Sequence, residues 1–413
     1  MQQVIVIGGG VIGLSSAWWL LEAGFGVTLV EQEAAVAAGA SHSNGGQLSY
    51  RYVAPFADQG VPLKALQWLF QADGPLRFRP EADLRQWRWL AQFLAHCRAD
   101  VSRNTTARLL ALGELSRQSL VQLEPAMPKE EFAWREAGKL VVYRSRKGFD
   151  ATVARAGSAE LGQVMSPAEC IAVEPALAAA QGALAGGIYN RGEAVADCHG
   201  FCHALLKRLQ AHPRFGGVVH AQVNALLEER GKISGVQTTD GRVLAADAYV
   251  LAAGIRSRDL AATVGIVLPL YPIKGYSLTA PIRPGDLAPQ VSVTDFERKV
   301  LYARIGDKLR VAAMADIVGE NLHLDQRRIA GLTQQVRTMM PQAADYASLS
   351  AWAGLRPATP SGAPIIGVTR HPNLWLNVGH GGLGFTFACG SARILADLMA
   401  GRPAPQGMDV FGF

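Results

Sequence analysis

Gly8, Gly10 and Gly13 stand at the spacing GxGxxG near the start of the chain, and Glu31 follows 18 residues beyond the third. Each glycine at this spacing has its own use. The first makes a tight turn, the second lets backbone approach a pyrophosphate, and the third lets a helix pack closely on a strand. Val11 and Ile12 would open that helix, whose free N–H groups and positive dipole end favour an anion. Glu31 lies near the separation at which a carboxylate meets a ribose hydroxyl pair, so the set reads as a site for the adenine half of a dinucleotide. An ordinary strand, turn and helix with an unrelated acid is the competing reading.

Such a site needs a strand before the glycines, a helix after them and a second strand ending on the acid. The sequence supplies all three. Residues 4–7 are a short β-branched run, the mark of a buried strand. A helical pattern follows over about 11–23, Gly24 and Gly26 punctuate its end, and 27–30 form a strand closing on Glu31. The stretch 41–49, SHSNGGQLS, is a glycine loop too rich in hydrogen-bonding groups for a bare connector. Helical periodicity dominates about 62–123, and strands then recur, interrupted by helices over about 199–210 and 324–340. One strand ends on Ala252, Ala253 and Gly254, small residues that allow something bulky to approach. Dinucleotide-type segments thus alternate with antiparallel ones. The expected class is a mixed α/β (α+β) fold, a Rossmann-type domain interleaved with an antiparallel-sheet domain. We assign 1–56, 193–263 and 351–413 to the first, and 57–192 and 264–350, with a helical insert at about 62–123, to the second.

The composition narrows the setting. At 413 residues, 49% hydrophobic and 18% charged, the chain can bury a large core. No uninterrupted apolar run reaches membrane-span length, and the N-terminus reads as a core strand without signal-peptide organisation, so a cytoplasmic protein is expected. Five scattered cysteines suit a reducing compartment. The group DCHGFCHA at 197–204 lacks the second cluster that a zinc site would want, and its Cys and His are expected to be buried helix residues; no metal is expected. Net charge is +6, and residues 77–108 hold seven Arg against Glu81, Asp83 and Asp100, with Trp87, Trp89 and Phe93 interleaved. That mixture fits peripheral contact with the inner membrane, or else a helical insert that buries its Trp and solvates its Arg. No nucleic-acid module accompanies the charge.

Taken with Glu31, the segments GGGVIG, SNGGQLS, YPIKGYSLTAPI, AGLRPATPSGAPIIG and LNVGHGGLGFTFACGSARILADL resemble the FAD-dependent D-amino acid dehydrogenases, within the glycine oxidase and D-amino acid oxidase superfamily. The resemblance covers essentially the whole chain. It implies FAD as cofactor and oxidation of a D-amino acid to an imino acid. It also implies cofactor contacts at Gln32, at Ser41, Ser43, Asn44, Gly45, Gly46 and Gln47 of the loop, and at Val223, Ala253, Gly254 and Gly354. Gly381, Gly382, Leu383 and Gly384 precede a C-terminal helix whose N–H groups can face the negative charge that a reduced flavin carries.

The implied substrate is a zwitterion, and the planar fork of arginine is suited to its carboxylate. Arg356, in AGLRPATP, matches the arginine that pairs with the carboxylate in the family. Tyr276 and Tyr302 are candidates to bind the carboxylate or cover the pocket, with core packing as the alternative for Tyr302; His380 and Lys274 are candidates to approach the flavin. Arg51, where the family tends to glycine, points to an altered substrate preference, or outward to solvent. No general base is required if a neutral amine assists departure of the α-hydrogen as hydride. The leading expectation is a dehydrogenase that passes electrons to a quinone or other carrier. The alternatives are a dehydrogenase for cyclic D-imino acids such as D-proline, an oxygen-using oxidase, and the flavin subunit of a larger complex.

Overall fold

The computed structural model describes residues 1–53, 57, 60, 61, 68, 74–155, 162–405 and 411. Most of the start of the expected helical insert, 62–67 and 69–73, lies outside the described residues.

A six-stranded sheet orders Ile365–Val368, Leu374–Val378, Ala248–Leu251, Gln3–Ile7, Gly26–Glu31 and Phe215–His220. Its neighbours are parallel except for the first pair, with Val6 level with both Val250 and Leu29. Strands covered on both faces need no polar alternation, which is why VIVI and AYVL are apolar throughout. Helix Val11–Glu22 lies on this sheet and presents buried Leu14, Ala17, Leu20 and Leu21 to the core it shares with helix Gly384–Met399.

The second sheet is larger. It runs Ser350–Ala358, Tyr271–Pro281, Lys308–Ile317, Val300–Ile305, Ser292–Asp295, Lys139–Tyr143, Gly186–Asn190 and Gln163–Met165, and Leu76–Phe78 joins it alongside Lys308–Ile317. Its pairings are antiparallel except that Ser292–Asp295 with Lys139–Tyr143, and Leu76–Phe78 with Lys308–Ile317, run parallel. Helix Gln326–Met339 covers one face with Leu332, Val336 and Met339.

Two expected boundaries are corrected. Ser350–Ala358 was expected with the cofactor domain, yet it pairs with Tyr271–Pro281 from Thr279–Ser350 to Tyr271–Ala358, and the chain rejoins the smaller sheet only at Ile365. The insert was expected with the substrate domain, yet Leu109, Leu112, Leu120 and Leu123 of helix Ala99–Leu123 join the core of the six-stranded sheet. There the helix meets Gly384–Met399 so closely that a Cβ on Gly390 would lie 2.8 Å from the Ser116 nitrogen. Both errors share a cause: local periodicity shows that an element exists, and a distant partner decides where it packs.

The Arg and Trp stretch divides. Trp89 is buried, stacks on Phe93 with ring centroids 5.2 Å apart, and donates its Nε1–H to the Ala358 carbonyl at 2.8 Å. Trp87, Leu84 and Leu94 of the same helix, Leu84–His96, are exposed. Arg77, Arg79 and Arg85 pair with Asp325, Glu81 and Asp83. Among the described residues no helix is long and apolar enough to cross a membrane.

Candidate active site

The glycine turn is built as its spacing requires. Gly8 has φ of +111°, and a Cβ there would fall 2.6 Å from the Ala252 carbonyl oxygen. A Cβ on Gly13 would fall 1.8 Å from the Gly8 oxygen, so only glycine lets the helix reach the turn. Gly10 caps helix Val11–Glu22 without a side-chain bond. The Val11 N–H donates to Ser41 Oγ at 3.0 Å, and the other free N–H groups of the first turn are the standard means of holding a phosphate. Glu31 is buried at the end of its strand, where Oε2 accepts the Gly9 N–H at 2.6 Å and Oε1 the Glu33 N–H at 2.9 Å. Gly9, which the spacing does not single out, belongs here: a Cβ on it would lie 2.8 Å from Glu31 Oε2. Gln32 turns instead to Glu33 at the exposed edge.

The loop after Ser41 lies against the larger sheet. Asn44 Oδ1 accepts the Gly46 N–H at 2.9 Å, and Gly45 comes so close to Ala312 that a Cβ would sit 3.2 Å from its methyl. Gly46 has φ of +66° and faces Ile305; Ser43 is buried beside this turn. Gln47 Nε2 donates to Ser292 Oγ, and its Oε1 accepts from Lys139 Nζ at 2.9 Å. Lys139 also donates to Ser49 Oγ at 2.9 Å and lies 4.2 Å from the centroid of the Tyr52 ring. From the other side the carboxylate of buried Glu193 accepts the N–H groups of Tyr50 and Arg51 at 2.7 and 2.8 Å. Two buried charges therefore hold residues 47–51. Burial pushes the Lys139 amine down to about 8 and the Glu193 carboxyl up. Neither residue was expected from the sequence. The available signal is the one charge in KLVVY, an otherwise apolar strand.

Along Ser350–Ala358, side chains alternate between faces. Trp352, Gly354 and Arg356 share the face that meets the cofactor loop, since Trp352 is level with Ser277, and Ser277 with Ala312, against which Gly45 packs. Arg356 lies over Gly275, where a Cβ would be 2.3 Å from its Nη2, and its Nη1 donates to the Met314 carbonyl at 2.8 Å. Burial pushes its guanidinium down to about 10, with Asp316 pulling the other way. Among the described residues no carboxylate forms a salt bridge with it. Tyr276 and Tyr302 point the opposite way. Both lie in the core against Val311 and Ala313 under helix Gln326–Met339. Tyr276 donates to Asp316 Oδ2 at 3.2 Å, and Asp316 Oδ1 is paired with Arg328 at 2.6 Å. The Tyr302 hydroxyl has no partner among the described residues, and burial raises its pKa. Strand register sets both a step out of phase with Trp352, Gly354 and Arg356, so Tyr302 takes its core-packing alternative and the expectation that Tyr276 faces the substrate is corrected. Lys274 likewise donates to the His323 carbonyl, beside the Tyr276 ring.

His380 is 3% exposed, its Nε2 has no partner among the described residues, and burial pushes it down to about 3, so the ring is neutral at physiological pH. It opens the turn Gly381–Leu383, after which helix Gly384–Met399 begins with no side-chain cap. Space is open at Gly254 and Gly381, where a Cβ would meet nothing within 4 Å among the described residues, and beside it Gly382 is exposed and Leu383 partly buried. Ala253 precedes Gly254 at the mouth, whereas Val223 is buried in the neighbouring core with Ile7 and Val30. The uncapped helix ends, the glycine turn and the orphaned His380 nitrogen fit a dinucleotide such as FAD. Bound there, FAD would supply hydride acceptance, and this chain's residues supply position and charge.

Comparison with known proteins agrees. Residues 3–398 match the family described as DAO, FAD dependent oxidoreductase. The chain is 48% identical over 404 residues to D-amino acid dehydrogenase 2 of Pseudomonas aeruginosa, covering 97% of this chain and 96% of that one. It is 38% identical to D-amino acid dehydrogenase of Vibrio cholerae, over 100% and 99%. Glycine oxidase from Bacillus cereus has the same fold, with a TM-score of 0.73 at 19% identity over 99% of this chain and 98% of that one. With the glycine turn, the paired sheets and a match over nearly its full length, the chain belongs to the DAO family of FAD dependent oxidoreductases.

Proposed function

We propose that the protein is an FAD-dependent D-amino acid dehydrogenase. It oxidises a D-amino acid to the 2-imino acid, which water converts to the 2-oxo acid and ammonia, and it passes the electrons to a quinone or other carrier. The observation that carries this reading is Arg356: a shielded guanidinium on the face that meets the cofactor loop, bound to one carbonyl and paired with no carboxylate among the described residues. A substrate carboxylate would supply the missing anion in fork geometry. Arg356 then fixes one end of the substrate, and the sheet on which it stands sets the distance to the cofactor. Neutral His380 adds no positive charge that would compete for the carboxylate. The names of the relatives support a D-amino acid as substrate.

The test is a panel of D- and L-amino acids, with D-proline and hydroxy-D-proline, assayed with an artificial electron acceptor. Turnover confined to D-amino acids supports the proposal, and turnover of L-amino acids alone overturns it. Hydrogen peroxide matching the substrate consumed in air would move the protein to the oxidase reading. Peripheral contact with the inner membrane through Leu84, Trp87 and Leu94 belongs to the same proposal, since a membrane quinone must be reached.

A further inference from the structure

The group DCHGFCHA takes no part in the site described above. Cys198 and Cys202 are buried as expected, but His199 is only half-buried and His203 is exposed on helix Cys198–Ala211. A third imidazole, His42 of the cofactor loop, joins them. The His42 and His199 ring centroids lie 5.0 Å apart edge to face, and the Nε2 atoms of His199 and His203 are 3.2 Å apart. Trp352 lies beside His42, with centroids 6.3 Å and planes 28° apart. Behind the patch Arg310 is 8% exposed; its Nη1 donates to the Asn44 carbonyl at 2.8 Å and its Nε has no partner among the described residues. Among the described residues no three His, Cys, Asp or Glu groups could hold a metal ion together, so chelation does not explain the cluster.

We infer that His42, His199 and Trp352, backed by Arg310, form the docking point for the ring of a quinone that reoxidises the enzyme, an inference that rests on the dehydrogenase reading above. Each group has a use for that ligand. The indole and the nearly parallel imidazole offer flat faces for a planar ring. Burial and the neighbouring imidazoles hold His199 below the usual histidine value, so it stays neutral and presents one N–H to a carbonyl oxygen. The unmatched Arg310 donor supplies positive charge where a quinone oxygen gains electrons. The patch also adjoins the cofactor face, because the Trp352 ring covers Gly354 so closely that a Cβ there would be 2.0 Å away. In the step, the quinone takes two electrons and one proton from the reduced cofactor and a second proton from solvent by way of an imidazole. Its two carbonyl oxygens become hydroxyls, and the cofactor returns to its oxidised form.

The test uses holoenzyme of the wild type, Trp352→Leu, Trp352→Phe and His199→Ala. Binding of a water-soluble benzoquinone to the oxidised protein is measured by equilibrium dialysis. Stopped-flow separately follows reduction by a D-amino acid and reoxidation by the same quinone. Trp352→Leu and His199→Ala are expected to bind the quinone at least tenfold more weakly and to reoxidise correspondingly slowly, while reduction of His199→Ala by substrate keeps its wild-type rate; Trp352→Phe restores binding. Wild-type quinone binding in both variants overturns the inference, as does parallel loss of FAD, which would make the patch part of the cofactor site. A wild type that oxidises D-amino acids with a dye yet binds no quinone also overturns it and leaves the dehydrogenase reading standing. A wild type that no D-amino acid reduces defeats that reading instead, and dialysis still reports whether the patch binds a quinone.

Discussion

Replacing Arg356 with lysine keeps a cation in the cleft and removes the two-pronged geometry. The structure sets the expected size of the effect. Nη1 is committed to the Met314 carbonyl, so on the proposed reading a substrate carboxylate would be held by the remaining donors of a guanidinium whose pKa burial has lowered to about 10, a place where water compensates poorly. Hydrogen bonds to charged groups contribute about 1.5–3 kcal/mol, so losing one prong should cost roughly 10- to 150-fold in kcat/KM. Gly275→Ala makes a second, independent demand. Its Cβ would fall 2.3 Å from Arg356 Nη2, and the fork must swing away from its seat although no charge is lost. Both variants should therefore raise KM and lower kcat/KM, with the FAD content unchanged. The assay is steady-state kinetics with an artificial acceptor, paired with anaerobic titration of the flavin absorbance by substrate. Arg356→Lys with wild-type constants, or Gly275→Ala with an unchanged KM, would refute the reasoning.

Further outcomes are expected elsewhere. Glu31→Ala should loosen FAD by roughly 10- to 150-fold, the worth of about 1.5–3 kcal/mol from a charged acceptor, and Glu31→Gln should lose less; fluorescence titration of the apoprotein checks both. His380, whose pKa burial lowers to about 3, binds its proton more readily unfolded than folded, so stability should fall as pH drops below the unfolded value near 6.5. His380→Gln should flatten that slope in denaturant titrations at pH 5 and pH 7, and an identical slope would count against a buried neutral ring. Trp87→Ala with Leu84→Ser should reduce sedimentation with anionic vesicles and leave dye-coupled turnover intact, because Trp87 is 48% and Leu84 71% exposed. A wild type that ignores such vesicles would end the membrane proposal.

The cofactor half of the fold was legible because its signal is local. Gly8, Gly13 and Glu31 lie within one strand, helix and strand unit, and the backbone demands that fix them act over a few residues. Arg356 was singled out by its motif; the structure places it on the face that Trp352 and Gly354 share, and its part in substrate binding is the proposal made above. The side that the tyrosines face was not legible. Tyr276 and Tyr302 stand on the expected strands, but a strand offers two faces, and the face is decided by register with a neighbour and by which side helix Gln326–Met339 covers. Val311 level with Tyr302, and Ala313 level with Tyr276, place both phenols beneath that helix, an outcome that neither segment records alone.

The same register explains what sequence reading missed. Lys139 sits in an apolar run on a strand whose parallel neighbour, Ser292–Asp295, comes more than 150 positions later in the chain. A buried lysine in such a place invites the conclusion that it is misplaced. Its two partners, Gln47 Oε1 and Ser49 Oγ, show instead that it ties the substrate sheet to the cofactor loop, while Glu193 fastens the next two residues of that loop through their N–H groups. The charges are costly to bury, so holding the loop by hydrogen bonds to backbone and short polar side chains, where apolar packing would be cheaper, is informative. Hydrogen bonds fix direction, so residues 47–51 are held in orientation as well as in place. Lys139 bonds the side chains of Gln47 and Ser49 from one side, and Glu193 accepts the N–H groups of Tyr50 and Arg51 from the other.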